Sequence, residues 1–461
     1  MYSARLSQKV LTTVSLGRLS SIHLHSMKHN PSSPARKSKN FLFLATLFML
    51  LFQSTLLLAQ NPNDFRTRAS GNWNVAGNWE RFNGTDWEAA AYWPGSGGLT
   101  ASVEITHAII VPNNITLIIP GSLSLSGSLE LSNRDFTVEG VTILSGVLSD
   151  RDNAGANTFH GKLNIINTGA LDNLRGAFFL EGIDQTSSGN SIIQGTTRFR
   201  ENDQAVTGNG SGILRFYTVT IDLDVELTNE RSVQIYSALN GLNEASAWIN
   251  AHGSVLDYSG TTAPMTVGEL IAIDLNNQVL YSRTGGDQAV KTTNYFHLHI
   301  VTGVSARTKR LENIAGEINV FGNLFISANA TLMNGTGVHQ KLTVHGNISN
   351  HGSLQLQTNA TSFCDLEILS EGTVISGNGA YRLRSLTLTH ENPKTIQTTS
   401  AIDFYGGIVP EGNQILNLGG HLLFLTGVYV FWRPHGIMCE ALAPSPLPVC
   451  VRATTTRRNL F

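Results

Sequence analysis

Ile318-Asn319-Val320-Phe321-Gly322, Leu342-Thr343-Val344-His345-Gly346 and Leu366-Glu367-Ile368-Leu369-Ser370 share one pattern in one register, with first residues 24 positions apart each time. Apolar residues alternate with others in each, which is the period of a strand with one buried face. A strand returning at a fixed interval of this size marks a repeat architecture. The expected fold is all-β: a single-stranded, right-handed parallel β-helix or solenoid with a small N-terminal capping segment. One coil buries too little apolar surface to offset its ordering entropy, so coils become stable only when stacked.

Composition suits such a stack. Charged residues are 14% of the 461, against roughly 25% in ordinary soluble domains. Ser, Thr, Asn and Gly fill the polar positions, and small neutral side chains line up on neighbouring coils without like-charge repulsion. Short alternating strands such as Ile115-Thr116-Leu117, Phe136-Thr137-Val138, Leu163-Asn164-Ile165 and Leu386-Thr387-Leu388 run through residues 106–420, divided by turns such as Gly127-Ser128 and Gly352-Ser353. At about 23 residues per coil this region holds roughly 14 coils, and at ~4.8 Å per coil it spans on the order of 65 Å. Ile318, Leu342 and Leu366 should form one interior column and Val320, Val344 and Ile368 another. Thr343, which alternates with them, should face outward and tolerate change.

The ends read differently. Residues 41–58 are almost wholly apolar, follow Arg36, Lys37 and Lys39, and precede Ala59. That is the layout of a secretory signal peptide cleaved after Ala59, with an uncleaved anchor as the alternative. Residues 1–59 thus form a leader, and Met27 gives it a more usual start. Without them the chain has 24 Lys and Arg against 33 Asp and Glu, and an acidic body argues against nucleic acid as a partner. Residues 60–105 carry Trp73, Trp79, Trp87 and Trp93, with an echo of Gly71-Asn72-Trp73 in Gly77-Asn78-Trp79. This segment is expected to cap the stack and to lead into the first coil, because an open end exposes strand edges and core. Residues 421–461 form an irregular tail with a Pro-rich run, as in a truncated or out-of-frame end, although His421–Gly427 could begin another strand. Three cysteines make no disulfide framework. Cys439 and Cys450 could pair or stay free, and Cys364, beside a repeat strand, should be packed.

The Trp-rich segment, Trp93-Pro94-Gly95 and Ala108-Ile109-Ile110-Val111-Pro112 resemble the opening module of large secreted bacterial surface proteins with β-helix repeats. Gln278-Val279-Leu280-Tyr281, Tyr295-Phe296-His297-Leu298, Gly322-Asn323-Leu324 and Ala330-Thr331-Leu332 are similar to the same group, and the likeness covers residues 66–427. It implies a secreted or outer-surface location and an adhesin-like or structural role, and it supplies no catalytic residues. Such proteins often end in a β-sandwich sorting domain, which this sequence does not display. Contact with a membrane would come only through the leader or such a missing region.

Candidate chemistry is sparse. In Ile221-Asp222-Leu223-Asp224-Val225-Glu226-Leu227, alternation would put Asp222, Asp224 and Glu226 on one outward strand face. Pectate-lyase-like β-helices bind calcium and acidic sugars through such carboxylates, with a nearby cation that here could be Arg198 or Arg200 of a neighbouring coil. A solvated polar face is the ordinary alternative. Asp150-Arg151-Asp152-Asn153-Ala154-Gly155 partly mimics a calcium loop but has Ala154 and Gly161 where ligands belong. His297 and His299 share a strand face, and His339, His345 and His351 are six apart; neither set has a closely spaced third ligand. Trp73, Trp79, Trp87 and Trp93 could stack on the rings of an extracellular glycan, or pack in the cap. The sequence therefore points to a surface-associated structural or adhesive solenoid, with a pectate-lyase-like carbohydrate-active enzyme and a non-catalytic glycan-binding module as alternatives.

Overall fold

The computed structural model describes residues 60–425, apart from 98–99, 133, 151–154, 262–264, 371, 390–393, 399, 401, 411–415 and 418–422. The apolar stretch 41–58, the Asp152–Ala154 part of the calcium-like loop, Cys439, Cys450 and the Pro-rich run all lie outside these residues.

The described chain is an all-β solenoid of parallel ladders. Each coil crosses three faces in turn. The first face stacks Phe65–Thr67, Val103–Ile105, Leu123–Leu125 and their successors to Glu269–Ile271, all parallel. Single bridges Ala272↔Tyr295 and Tyr295↔Val320 carry it on to Gly316–Val320, His339–Val344 and Phe363–Ile368. The second face starts at Gly71–Asn72 and Ala108–Ile110. It passes through the bridge Leu174↔Ile193 and ends at Leu416–Asn417. The third face starts at Leu117–Ile119 and Phe136–Val138 and ends with Leu423–Leu425 pairing Ile402–Pro410. That last strand fulfils the expectation for His421–Gly427.

The expected columns exist. Ile318, Leu342 and Leu366 are register partners, as are Val320, Val344 and Ile368, and all six side chains are buried. The inward sites are aliphatic on most coils, with an aromatic run on the third face. Phe159, Phe179 and Phe199 stack there with ring centroids 5.3 and 5.4 Å apart. Such contacts add to the area buried. Inward polar residues sit at the corners, where they hold main-chain groups that no ladder satisfies. Gln340 Nε2 donates to Glu312 O and Ile314 O at 2.8 and 2.9 Å. Arg231, buried and in no ion pair among the described residues, donates to Gln185 O and Gly212 O at 2.7 Å and to Gly210 O at 3.4 Å. One side chain thus ties the corners of three coils together. Corners also fix glycine. A Cβ on Gly146 would lie 1.9 Å from Gly127 O, so no larger residue fits under that coil spacing.

Winding begins at Phe65, because Phe65–Thr67 and Gly71–Asn72 already pair in parallel with the next coil. The tryptophan-rich residues are a long insertion within that first coil. One expectation needs correction: Thr343 is fully buried despite its outward parity. Lys341 reaches across it with Nζ 3.3 Å from Glu317 and 2.5 Å from Glu367. Thr343 Oγ1 lies 3.0 and 3.1 Å from the same two carboxylates and can donate to one of them at a time. Charged side chains on three coils roof over the hydroxyl.

Candidate functional site

The insertion in the first coil is a two-stranded antiparallel extension. Trp79–Phe82 pairs with Phe65–Thr67 on one side and Trp87–Ala89 on the other, so Phe65–Thr67 has a partner along both edges. The Gly-Asn-Trp echo folds onto itself. Trp73 and Trp79 are fully buried with centroids 4.6 Å apart. Trp79 Nε1 donates to Trp73 O at 2.8 Å and Trp73 Nε1 to Pro94 O at 3.0 Å. These two indoles expose no face to a sugar. Trp87 and Trp93 are half-buried; Arg66 lies over the Trp87 ring at 4.4 Å, and Trp93 packs against the core.

Asp222, Asp224 and Glu226 do not share a strand face. The strand Leu214–Ile221 ends before them, and Val225 N donates back to Asp222 O across a turn. Asp224 holds φ 59° within it. Aspartate tolerates this left-handed region better than most residues, and the apolar residue that mimics a strand pattern, Leu223, is exposed. Asp222 is ion-paired with Arg198 and lies 3.6 Å from Arg200, so both expected cations are at hand. Asp224 instead accepts from Asn243 Nδ2 at 2.8 Å. Glu226 begins the next face, its main-chain N–H donating to Asp203.

The histidines disperse. His297 and His299 sit on the second face with centroids 6.3 Å apart. His297 Nδ1 accepts from Asn323 N at 2.9 Å. Burial, with His297 adding to it, pushes His299 down to about 4, so its imidazole is neutral at pH 7. His339 contacts Asp365 at 2.8 Å on the first face, while His351 packs by Phe325 on the second. Among the described residues no three His, Cys, Asp or Glu side chains are grouped as metal ligands would be. Cys364 is buried, and burial pushes its thiol far above the ordinary range.

One charged group escapes sequence reading. At the corner between the second and third faces, Arg283 follows the strand Gln278–Tyr281, and Arg307 opens the strand Arg307–Leu311 one coil on. Arg307 Nε donates to Thr284 O at 2.7 Å and Lys309 Nζ to Arg283 O at 2.6 Å. A Cβ at Gly286 would lie 3.4 Å from Arg283 Nε and Nη2, so the guanidinium lies across this glycine. Burial, joined by Arg283 and Arg307, lowers Lys309 to about 8. Asp287 is the acid nearby, and its Oδ1 is engaged by Thr308 N at 2.9 Å. No motif links these residues; only the coil register brings them together.

Comparison with protein-family models, curated proteins and solved structures finds no match for this chain. The likeness to secreted surface proteins therefore rests on its own motifs.

Proposed function

We propose that this chain is an exported, surface-associated β-solenoid with a structural or adhesive role. The supporting observation is the stacking of coil upon coil in parallel ladders on three faces about one apolar core. Such a stack is stiff along its axis and presents long repetitive outward faces, which suits a stalk or an adhesive surface better than a closed catalytic cleft. The apolar, basic-preceded leader and the resemblance to secreted repeat proteins agree with export.

Protease shaving of intact cells that make the protein tests the proposal. Release of solenoid peptides without lysis supports it; complete protection, with digestion only after lysis, contradicts it. The pectate-lyase-like alternative draws on Asp222 beside Arg198 and Arg200. Those groups are occupied with one another, and reducing-sugar release from pectic substrates would be needed to revive it.

A further inference from the structure

We propose that the Arg283–Arg307 corner is a docking site for a polyanionic glycan, one carrying carboxylate or sulfate groups. This deepens the surface-adhesin reading and rests on it only for where the glycan would be met.

The corner is cationic, with Asp287 as the acid nearby. None of Arg283, Arg307, Lys309 and Arg310 forms an ion pair with a carboxylate among the described residues. Their contacts go to main-chain carbonyls and one hydroxyl: Arg283 to Gly260 O at 3.5 Å, Arg307 to Thr284 O and Ala306 O, Lys309 to Arg283 O, Arg310 to Asn334 O and Thr336 Oγ1. Several other outward cations of this molecule do meet acids, as in Arg66–Glu80, Lys341–Glu367 and Arg198–Asp222. A guanidinium has five N–H donors. Arg283 and Arg307 spend few of them within the chain, and the rest suit the paired oxygens of a carboxylate or sulfate.

The position fits a polymer rather than a lone ion. Arg307 stands one coil above Gly286, over which Arg283 lies, so the two charges occupy consecutive rungs. Residues Thr284, Gly285, Asp287 and Gly303–Ala306 around them are exposed. Lys309, buried just behind, adds positive potential without competing for the ligand. A glycan is favoured over nucleic acid by the body's charge. With 33 acidic against 24 basic residues outside the leader, a strand of high charge density is repelled beyond the corner. A glycan with one charge per sugar or fewer avoids most of that repulsion.

The test is affinity of the purified full chain for immobilised alginate and chondroitin sulfate, with dextran and double-stranded DNA as comparisons. Binding to alginate or chondroitin sulfate that weakens as salt rises, with none to dextran, is expected. Arg283→Ser with Arg307→Ser should weaken it roughly thirtyfold, about fivefold for each surface charge lost. Arg283→Lys with Arg307→Lys should bind between the two, keeping the charge and losing the paired donors, which separates charge from any structural role of the arginines. Three results would overturn the proposal: no binding at low salt, serine variants that bind as wild type does, or tighter binding to DNA than to either glycan. Each is independent of whether the chain is found on the cell surface.

Discussion

At the residue scale, burial and not parity decides what a substitution costs. Val344 sits in a dry column between Val320 and Ile368, so Val344→Asp should cost about 3–5 kcal/mol in urea melts, as an unpaired buried charge does. Thr343 was expected to be neutral from alternation alone. Roofed by Lys341, Glu317 and Glu367, it should lose about 1 kcal/mol as Thr343→Ala, the usual worth of a buried hydrogen bond. Melts that place both variants at wild-type stability would contradict the observed register. Lys309 gives a pH signature. Its folded pKa, about 8, lies below the ordinary 10.5. Between those values the unfolded chain holds a proton the folded one has lost, so this group makes stability rise with pH over that window. Below about 8 the burial penalty is present in full. Lys309→Met should abolish that rise and be the more stable protein at pH 7. Parallel stability–pH curves for the two proteins from pH 8 to 10.5 would show that Lys309 is not held in the interior.

At the scale of elements, the strands were legible and their corners were not. Ile318, Leu342 and Leu366 announced themselves because each coil places an aliphatic residue at the same inward site, and the 24-residue period survives where loops keep one length. Elsewhere the faces merge. Ser191–Phe199 spans the second and third faces as one strand with a register shift between Ile193 and Thr196, which hides the period. The Asp222–Glu226 run misled because Leu223 continues an alternation that the backbone has already abandoned at a turn. The Arg283–Arg307 corner stayed invisible because its residues are one coil apart and carry no local pattern. Arg231 shows what a corner residue does for its element. Its removal as Arg231→Ala would orphan the carbonyls of Gly210 and Gly212 and leave that of Gln185 with Gly210 N as its donor. The expected loss is about 2–4 kcal/mol, together with faster amide exchange confined to coils 183–258. Exchange that quickens uniformly along the chain, or not at all, would speak against a local clamp.

At the scale of the whole solenoid, the coil is the unit of length and can be removed as one. Val320 is the register partner of Val344, so deleting residues 321–344 joins equivalent points of consecutive coils. Nearest-neighbour stacking then predicts a shorter, folded protein. Deleting residues 321–332 would join different faces and should leave the chain unfolded or aggregated by circular dichroism and gel filtration. The spacing of the stack can be read directly by electron–electron double resonance, in a background lacking the native cysteines. Outward positions Ile118, Thr137, Thr158, Phe178, Arg198, Thr220 and Asn240 succeed one another on the third face. Spin labels at Ile118 and Asn240 are thus six rungs apart, or about 29 Å between backbones. Moving the first label to Thr158 leaves four rungs and should shorten the distance to about 19 Å at ~4.8 Å each. A distance that ignores the number of intervening coils, or a broad distribution for both pairs, would contradict the stacked solenoid.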